Sequence, residues 1–323
     1  MSKIVVIGAT GHIGTYLVPR LAMAGHQVIA VSRGQAQPYQ ADKAWAHVET
    51  VQIDRQAEEA KGNFGATIAN LNADIVVDLI CFTRASSDQL ADALHGKVSQ
   101  LIHIGTIWTH GTAAVVPTLE SAVKYPFGDY GVQKADIEAD LLRRAHRQGL
   151  PVSIIHPGHI VGPGWAPLNP AGHFNPAVFS TIARNAPLLL PNFGLETVHH
   201  VHADDVAQLI VAAMHNLAAA RGESFHAVSS GALTLRGYAE AMYRWFGHQP
   251  NLAFAPFAEW AAAQTEEEAA ATWEHIARSP NCSIDKGRRR LGYAPRYSSL
   301  EAVQESVSWL IADGQVEASA GTG

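Results

Sequence analysis

Cysteine is scarce in this chain. Cys81 and Cys282 are the only two in 323 residues, too few for a disulfide framework or a thiolate metal site. Charge is also sparse, at 16% of residues, and its balance is acidic: 23 Lys and Arg against 29 Asp and Glu, a net charge of −6 with histidine neutral. A surface that binds nucleic-acid phosphates needs clustered Lys and Arg, so no nucleic-acid partner is expected. The one dense basic run, Arg288-Arg289-Arg290, reads as a solvated helix face, with an anion site as its alternative. No apolar run approaches the roughly 18 residues of a membrane span. The N-terminus enters a β-branched run without the charged start and cleavage site of a signal peptide. The expectation is a cytoplasmic protein with no membrane partner.

What is present begins at once. Ile4-Val5-Val6-Ile7 is a short, mostly β-branched run, the pattern of a parallel strand covered on both faces. It runs into Gly8, Gly11 and Gly14, and helical spacing follows over Tyr16–Ala22. A glycine turn between strand and helix lets a pyrophosphate approach the backbone at the positive end of the helix. The spacing is G-x-x-G-x-x-G, and with its strand and helix it reads as a dinucleotide site.

A second strand, Gln27–Val31, ends at Ser32-Arg33-Gly34. An acidic residue here would bond the ribose 2′-hydroxyl of NAD. Arg33 stands there instead, and a guanidinium suits a 2′-phosphate, so NADP(H) is favoured over NAD(H); a plain surface arginine is the alternative. Further strands are expected at 48–54, 74–80, 99–106 and 152–156, with helices at 86–94 and 129–146. Asp54 faces either the adenine edge or the next helix as its cap. The alternation predicts an α/β fold, a Rossmann-type doubly wound parallel sheet with a smaller C-terminal substrate lobe. By this reading 1–164 form the dinucleotide-binding domain, to which 197–230 return as the sheet resumes at Thr197–Val201. Residues 165–196 and 231–313 form the substrate lobe, and 314–323 a flexible tail.

The strongest chemical signal is Tyr130-Gly131-Val132-Gln133-Lys134. Side chains four residues apart share a helix face. A tyrosine is a poor base near neutral pH until a nearby ammonium stabilises its phenolate, so the pair is suited to moving a proton in an alcohol–carbonyl interconversion. The loop from Pro157 to Pro176, rich in Gly, Pro and aromatics, is of the kind that carries a substrate site. Trp108, His110, His159, Trp165 and Phe193 are the candidate pocket residues, with ordinary aromatic packing as their alternative. His199, His200 and His202 raise the question of a metal, but alternation sends His199 to the opposite face, and no carboxylate or cysteine pattern accompanies them. No metal is expected. Glu266-Glu267-Glu268 reads as a helix N-terminus.

With these motifs in place, the chain over roughly 3–311 resembles the extended short-chain dehydrogenase/reductase family, in its epimerase/dehydratase branch. Gly8, Gly11 and Gly14 match the family's glycine motif and Tyr130 with Lys134 its catalytic pair. Thr106 stands where its catalytic Ser or Thr lies. The runs His156–Gly164, His202–Ala207 and Arg290–Pro295 resemble its later segments. The resemblance implies Tyr130 as general acid/base, Lys134 lowering its pKa and bonding the nicotinamide ribose, and Thr106 donating to the reacting oxygen. Cofactor contacts are expected at Gly8, Thr10, Gly11, His12, Ile13, Gly14, Arg33, Asp54, Leu79, Ile80, Cys81, Tyr130, Lys134, His156 and Gly158. A homodimer is also implied, with the Tyr130 helix as a candidate interface. Nucleotide-sugar enzymes of the family usually carry Asn at the place of His159, Tyr at that of Val161, and often an arginine where Val198 stands. Arg278 or Arg288 could replace that cation. The expected reaction is NADP(H)-dependent hydride transfer between nicotinamide and a small secondary alcohol or ketone. The alternatives are a nucleotide-sugar epimerase/dehydratase with tightly held NAD, and a non-catalytic nucleotide-sensing or RNA-associated protein.

Overall fold

The computed structural model describes residues 1–318. Seven parallel strands form its central sheet: β1 (Lys3–Ile7), β2 (Gln27–Ser32), β3 (Glu49–Gln52), β4 (Ile75–Asp78), β5 (Gln100–Ile104), β6 (Val152–Pro157) and, later in the chain, β11 (Glu223–Ala227). Their spatial order is β3-β2-β1-β4-β5-β6-β11, so the direction of winding reverses between β1 and β4. Ligands of open α/β sheets bind in the crevice at that reversal, beyond the carboxyl ends of the strands.

The β-branched runs predicted as strands are covered on both faces. Ile4 and Val6 pack with Leu17, Val206 and Ile210, from α1 (His12–Met23) and α7 (Ala203–His215). Val5 and Ile7 pack with Phe64, Leu90 and Leu141. These come from α3 (Phe64–Ala69), α4 (Arg84–Leu94) and α5 (Asp129–Gln148), with α2 (Arg55–Ala60) preceding them. Thr83 and Asp54 cap α4 and α2 through their side chains, so α4 starts two residues earlier than predicted. Asp54 fulfils its capping reading, since its carboxylate accepts from Ala57 N at 3.0 Å.

The sheet does not resume at Thr197–Val201. The chain leaves β6 at Pro157, which has no N–H for the ladder, and forms β7 (His159–Val161). Of the expected strand, β9 (Thr197–Val198) pairs antiparallel with β12 (Leu233–Thr234), and β10 (His200–His202) pairs parallel with β7. Only β11 returns to the sheet. A third apolar core, around Phe179, Leu190, Tyr238, Trp260, Val303 and Leu310, joins α6 (Ala177–Ala183), β8 (Leu188–Pro191), α9 (Leu235–Trp245), β13 (Leu252–Ala255), α10 (Phe257–Ala262) and α13 (Ser299–Ala312). The other helices are α8 (Leu217–Ala220), α11 (Glu266–Ile276) and α12 (Asp285–Leu291). Thr265 and Glu268 close a capping box on α11, and the arginines of α12 pair outward, Arg290 with Glu223 and Arg288 with Asp285, as a solvated face would.

The expected flexible tail is corrected in part. Val316 is buried in the third core and Glu317 pairs with Arg184 at 2.7 Å; the rest of that expectation, 319–323, lies outside the described residues. No described helix is long and apolar enough to cross a membrane.

The third glycine of the turn serves packing. A Cβ on Gly14 would lie 2.1 Å from the carbonyl oxygen of Ala9, and backbone has little room to yield. Gly14→Ala is therefore expected to cost roughly 1–3 kcal/mol of stability, read as a lower midpoint in urea unfolding.

Candidate active site

Two hollows of about 550 and 700 Å3 meet at the sheet's carboxyl edge and share Gly8, Gly11, Tyr39, Ile80 and Phe82. They make one groove that crosses the glycine turn. Gly8 has φ +82°, and a Cβ there would lie 2.6 Å from Ile80 Cγ2. No side chain caps α1 at Gly11, and no acidic residue occupies its first turn. The positive end of α1 is thus open to an anion. The 700 Å3 side is lined by Thr10, Ser32, Arg33, Asp54 and Phe64. Arg33 is exposed there and has no carboxylate partner among the described residues, whereas Arg55 on the same wall is held by Asp78 at 2.7 Å and Glu59 at 2.6 Å.

On the 550 Å3 side the groove gathers Thr106, Tyr130 and Lys134. Thr106 follows β5 and caps a short 3-10 turn, its hydroxyl accepting from Trp108 N at 3.3 Å. Tyr130 opens α5 and is 41% exposed, while Lys134, one turn on, is 2% exposed. The Lys134 ammonium donates to Ile104 O at 2.7 Å and lies 5.8 Å from the centre of the Tyr130 ring. Burial lowers the Lys134 pKa to about 8. Burial also raises the Tyr130 phenol, opposed by a hydrogen bond with Thr106. The expected lowering of that phenol by Lys134 does not appear in this geometry, where Thr106 is the group that lowers it.

A buried relay stands behind Thr106. Its backbone N–H donates to His156 Nδ1 at 3.0 Å, which places the ring's proton on Nε2. That nitrogen lies 3.0 Å from Glu138 Oε1, and Lys124 contacts the other carboxylate oxygen. Burial works to raise the Glu138 carboxyl, but His156 and Lys124 hold it well below the usual range. A Cβ on Gly105 would sit 2.3 Å from His156 Nδ1, so the glycine makes the approach possible. His156 therefore supports the groove from beneath and does not line it, contrary to its expected cofactor contact. Cys81 is corrected likewise: it is buried beneath Ile80 and Phe82, and its thiol faces Thr83 O.

Gly8, Gly11, His12, Ile13, Leu79, Ile80 and Gly158, the candidate cofactor contacts, line the 550 Å3 side, with Trp108, His159 and Trp165 among the aromatic walls. His110 does not line it: its Nε2 bonds His226 Nε2 at 2.8 Å inside the protein. Phe193 is 71% exposed and also outside the lining. Tyr39, Phe82, Phe174 and His275 are lining residues that the sequence reading missed. Phe174 belongs to the Pro157–Pro176 loop already marked by its composition, whereas Tyr39 and Phe82 lie in loops without motif and His275 comes from α11, far along the chain.

The cations proposed to replace an arginine at Val198 are not free. Arg278 is 1% exposed at its side chain, stacked 3.7 Å from the Trp108 ring centre and 3.9 Å from that of Phe127, and bonded to Glu274 and Phe127 O. Arg288 points outward from α12, and Val198 is buried. Asp78, Cys81 and His103 bring possible ligand atoms within 4.8 Å, but Arg55 already holds Asp78. His199 Nε2 and His200 Nε2 donate to the carbonyls of Ser229 and Leu168, each at 3.0 Å.

Over residues 4–227 the chain matches the model of the NAD dependent epimerase/dehydratase family, and it belongs to that family. It is thereby an NAD(P)-dependent enzyme of the group of oxidoreductases, epimerases and dehydratases. Similar proteins include a 2′-dehydrokanamycin reductase of Streptomyces kanamyceticus, 27% identical over 97% of this chain and 86% of the relative. A chloroplast stem-loop binding protein of Arabidopsis thaliana is 22% identical over 94% of this chain and 78% of the relative. In fold, the chain is similar to a dTDP-glucose 4,6-dehydratase from Bacillus anthracis in complex with NAD, with a TM-score of 0.75, 16% identity and 98% of each chain covered.

The relay gives a stability prediction. Removing the carboxylate in Glu138→Ala leaves Lys124 and His156 facing a buried void, and is expected to cost about 3–5 kcal/mol. Glu138→Gln, which keeps volume and an acceptor, is expected to cost clearly less; urea unfolding of the two variants measures the difference.

Proposed function

We propose that this enzyme is an NADP(H)-dependent reductase that moves hydride between C4 of nicotinamide and the carbonyl carbon of a small ketone, with the secondary alcohol as the reverse substrate. The observation that carries this reading is the convergence of Thr106, Tyr130 and Lys134 on one side of a groove whose other side offers an unpaired Arg33.

The residues fit the cofactor. The open α1 terminus and the glycine turn would hold its pyrophosphate, and Arg33 would pair the 2′-phosphate. The bound cofactor supplies the hydride. Tyr130 gives its proton to the ketone oxygen, and its raised pKa keeps that proton in place until the oxygen gains charge. Thr106 donates a hydrogen bond to the same oxygen, held in position by His156. Lys134 orients the ribose and offers positive charge beside the phenolate left after transfer.

The alternative of a nucleotide-sugar substrate asks for a cation at the diphosphate. Among the described residues lining the substrate side, Lys134 is the one Lys or Arg, and its ammonium is committed to Ile104 O. The reductase relative supports net reduction over internal epimerisation. The stem-loop binding relative keeps an RNA-associated role as a second reading; RNA binding with a steep salt dependence would favour it, against the −6 net charge. The homodimer through α5 stays part of the proposal, with sedimentation as its check.

Two substitutions test the roles. Tyr130→Phe is expected to lower kcat at least about 100-fold while NADPH affinity, followed by fluorescence titration, changes little; retained turnover would remove Tyr130 from the mechanism. Arg33→Asp is expected to weaken NADPH at least about tenfold and leave NADH nearly unaffected. Equal losses for both cofactors would mean that Arg33 does not read the 2′-phosphate.

A further inference from the structure

We infer that the substrate is a ketone bearing hydroxyl or amino substituents, selected by two hydrogen-bond acceptors, His159 Nε2 and His275 Nε2, in the substrate side of the groove. This rests on the reductase reading and deepens it.

The argument is one of tautomers. A backbone carbonyl can only accept, so any ring nitrogen bonded to one must carry the proton, and the other nitrogen of a neutral ring is then a bare acceptor. His275 Nδ1 bonds Ala271 O at 2.6 Å, and His159 Nδ1 bonds His199 O at 3.3 Å. Both rings line the groove, with centres 5.0 Å apart. His159 Nε2 is buried without a partner, and His275 Nε2 has none among the described residues although the residue is 5% exposed. Burial keeps both rings neutral: His275 is lowered to about 4 and His159 well below its ordinary value. An unpaired buried acceptor such as His159 Nε2 is costly, so a ligand that donates to it gains what the free protein lacks, and His275 Nε2 offers a second acceptor beside it.

Their place fits a substituent rather than the reacting carbonyl. Trp108 lies edge-on to Tyr130 at 5.8 Å and to His275 at 5.1 Å, so the phenol and the His275 ring border the same indole at separate places. Thr106 and Tyr130 donate to the ketone oxygen at one end, and the histidines accept at the other. No Arg, Asp or Glu is among the residues lining this side. A carboxylate or phosphate brings only acceptors and would face two more, without a free cation. The arrangement rejects anionic ketones.

The test is a matched set of ketones with the wild-type enzyme and NADPH: 4-hydroxy-, 4-amino- and 4-methoxycyclohexanone and 4-oxocyclohexanecarboxylate. The hydroxy or the amino compound, or both, is expected to exceed the methoxy and carboxylate compounds in kcat/KM by at least about tenfold, and comparison of the two identifies the preferred donor. In His159→Leu and His275→Phe the ratio of the preferred compound to the methoxy compound should fall toward one, a readout that a general loss of folded enzyme would not move. Turnover of all four compounds within threefold of one another would overturn the acceptor assignment and leave the reductase reading standing. Binding of NADPH without oxidation by any ketone in the set would overturn the reductase reading, and this inference with it.

Discussion

The site depends on one buried carboxylate. Tyr130, Lys134 and Glu138 stand four residues apart on α5 and so face the same way. The first two meet the groove, and the third passes under it to His156 and Lys124. An isolated ion in that position would be costly to desolvate, and a single partner seldom compensates. Here His156 and Lys124 approach from different segments, and His156 is fixed in turn by the Thr106 N–H. The pair therefore does more than hold a helix on a sheet. It couples the height of α5, and with it the Tyr130 phenol, to the loop that carries Thr106. The two groups proposed to address one substrate oxygen are referred to a common internal anchor.

Burial sets the electrical character of the groove. It removes charge from histidine: His12 is lowered to about 3 and His275 to about 4, burial being the main cause in both. It also brings Lys134 to about 8, within reach of a working pH. Carbonyl partners then decide which nitrogen keeps the proton. A histidine-rich pocket in a protein of this composition would ordinarily invite a metal or a positive patch. This one presents neutral rings with assigned donors and acceptors, and their chemistry is directional instead of ionic.

How far the sequence could be read follows from the range of each signal. The alternating strands and helices, the glycine turn and the Tyr–Lys spacing are local patterns with one physical cause apiece, and the structure carries them at the expected positions. The Thr197–Val201 segment was misread because a short β-branched run states a preference for extended backbone and says nothing about which strand it joins; it pairs beside β7 and β12. His110 and Phe193, candidates for the pocket by sequence, are turned inward onto His226 and outward to solvent. His275 and Phe82 carry no local sign of the groove, since each reaches it through tertiary packing. The fate of Arg278, sandwiched by Trp108 and Phe127, is likewise a packing outcome between distant segments.

That sandwich bears on the chemistry more than its distance from the reacting atoms implies. The guanidinium lies on the Trp108 face, where the ring quadrupole attracts it, and its terminal nitrogens bond the Glu274 carboxylate and the carbonyls of Glu274 and Phe127. An arginine that could have reached a diphosphate is thereby converted into a support that fixes the indole between Tyr130 and His275. Charge is divided along the groove as a result. The nucleotide side keeps an exposed guanidinium at Arg33, and the substrate side has aromatic faces and neutral imidazoles. A ligand that carries phosphates in its nucleotide half and donors without charge in its reacting half finds the open α1 terminus and Arg33 at one end and neutral imidazoles at the other, which is the physical reason for proposing a phosphorylated cofactor and an uncharged substrate.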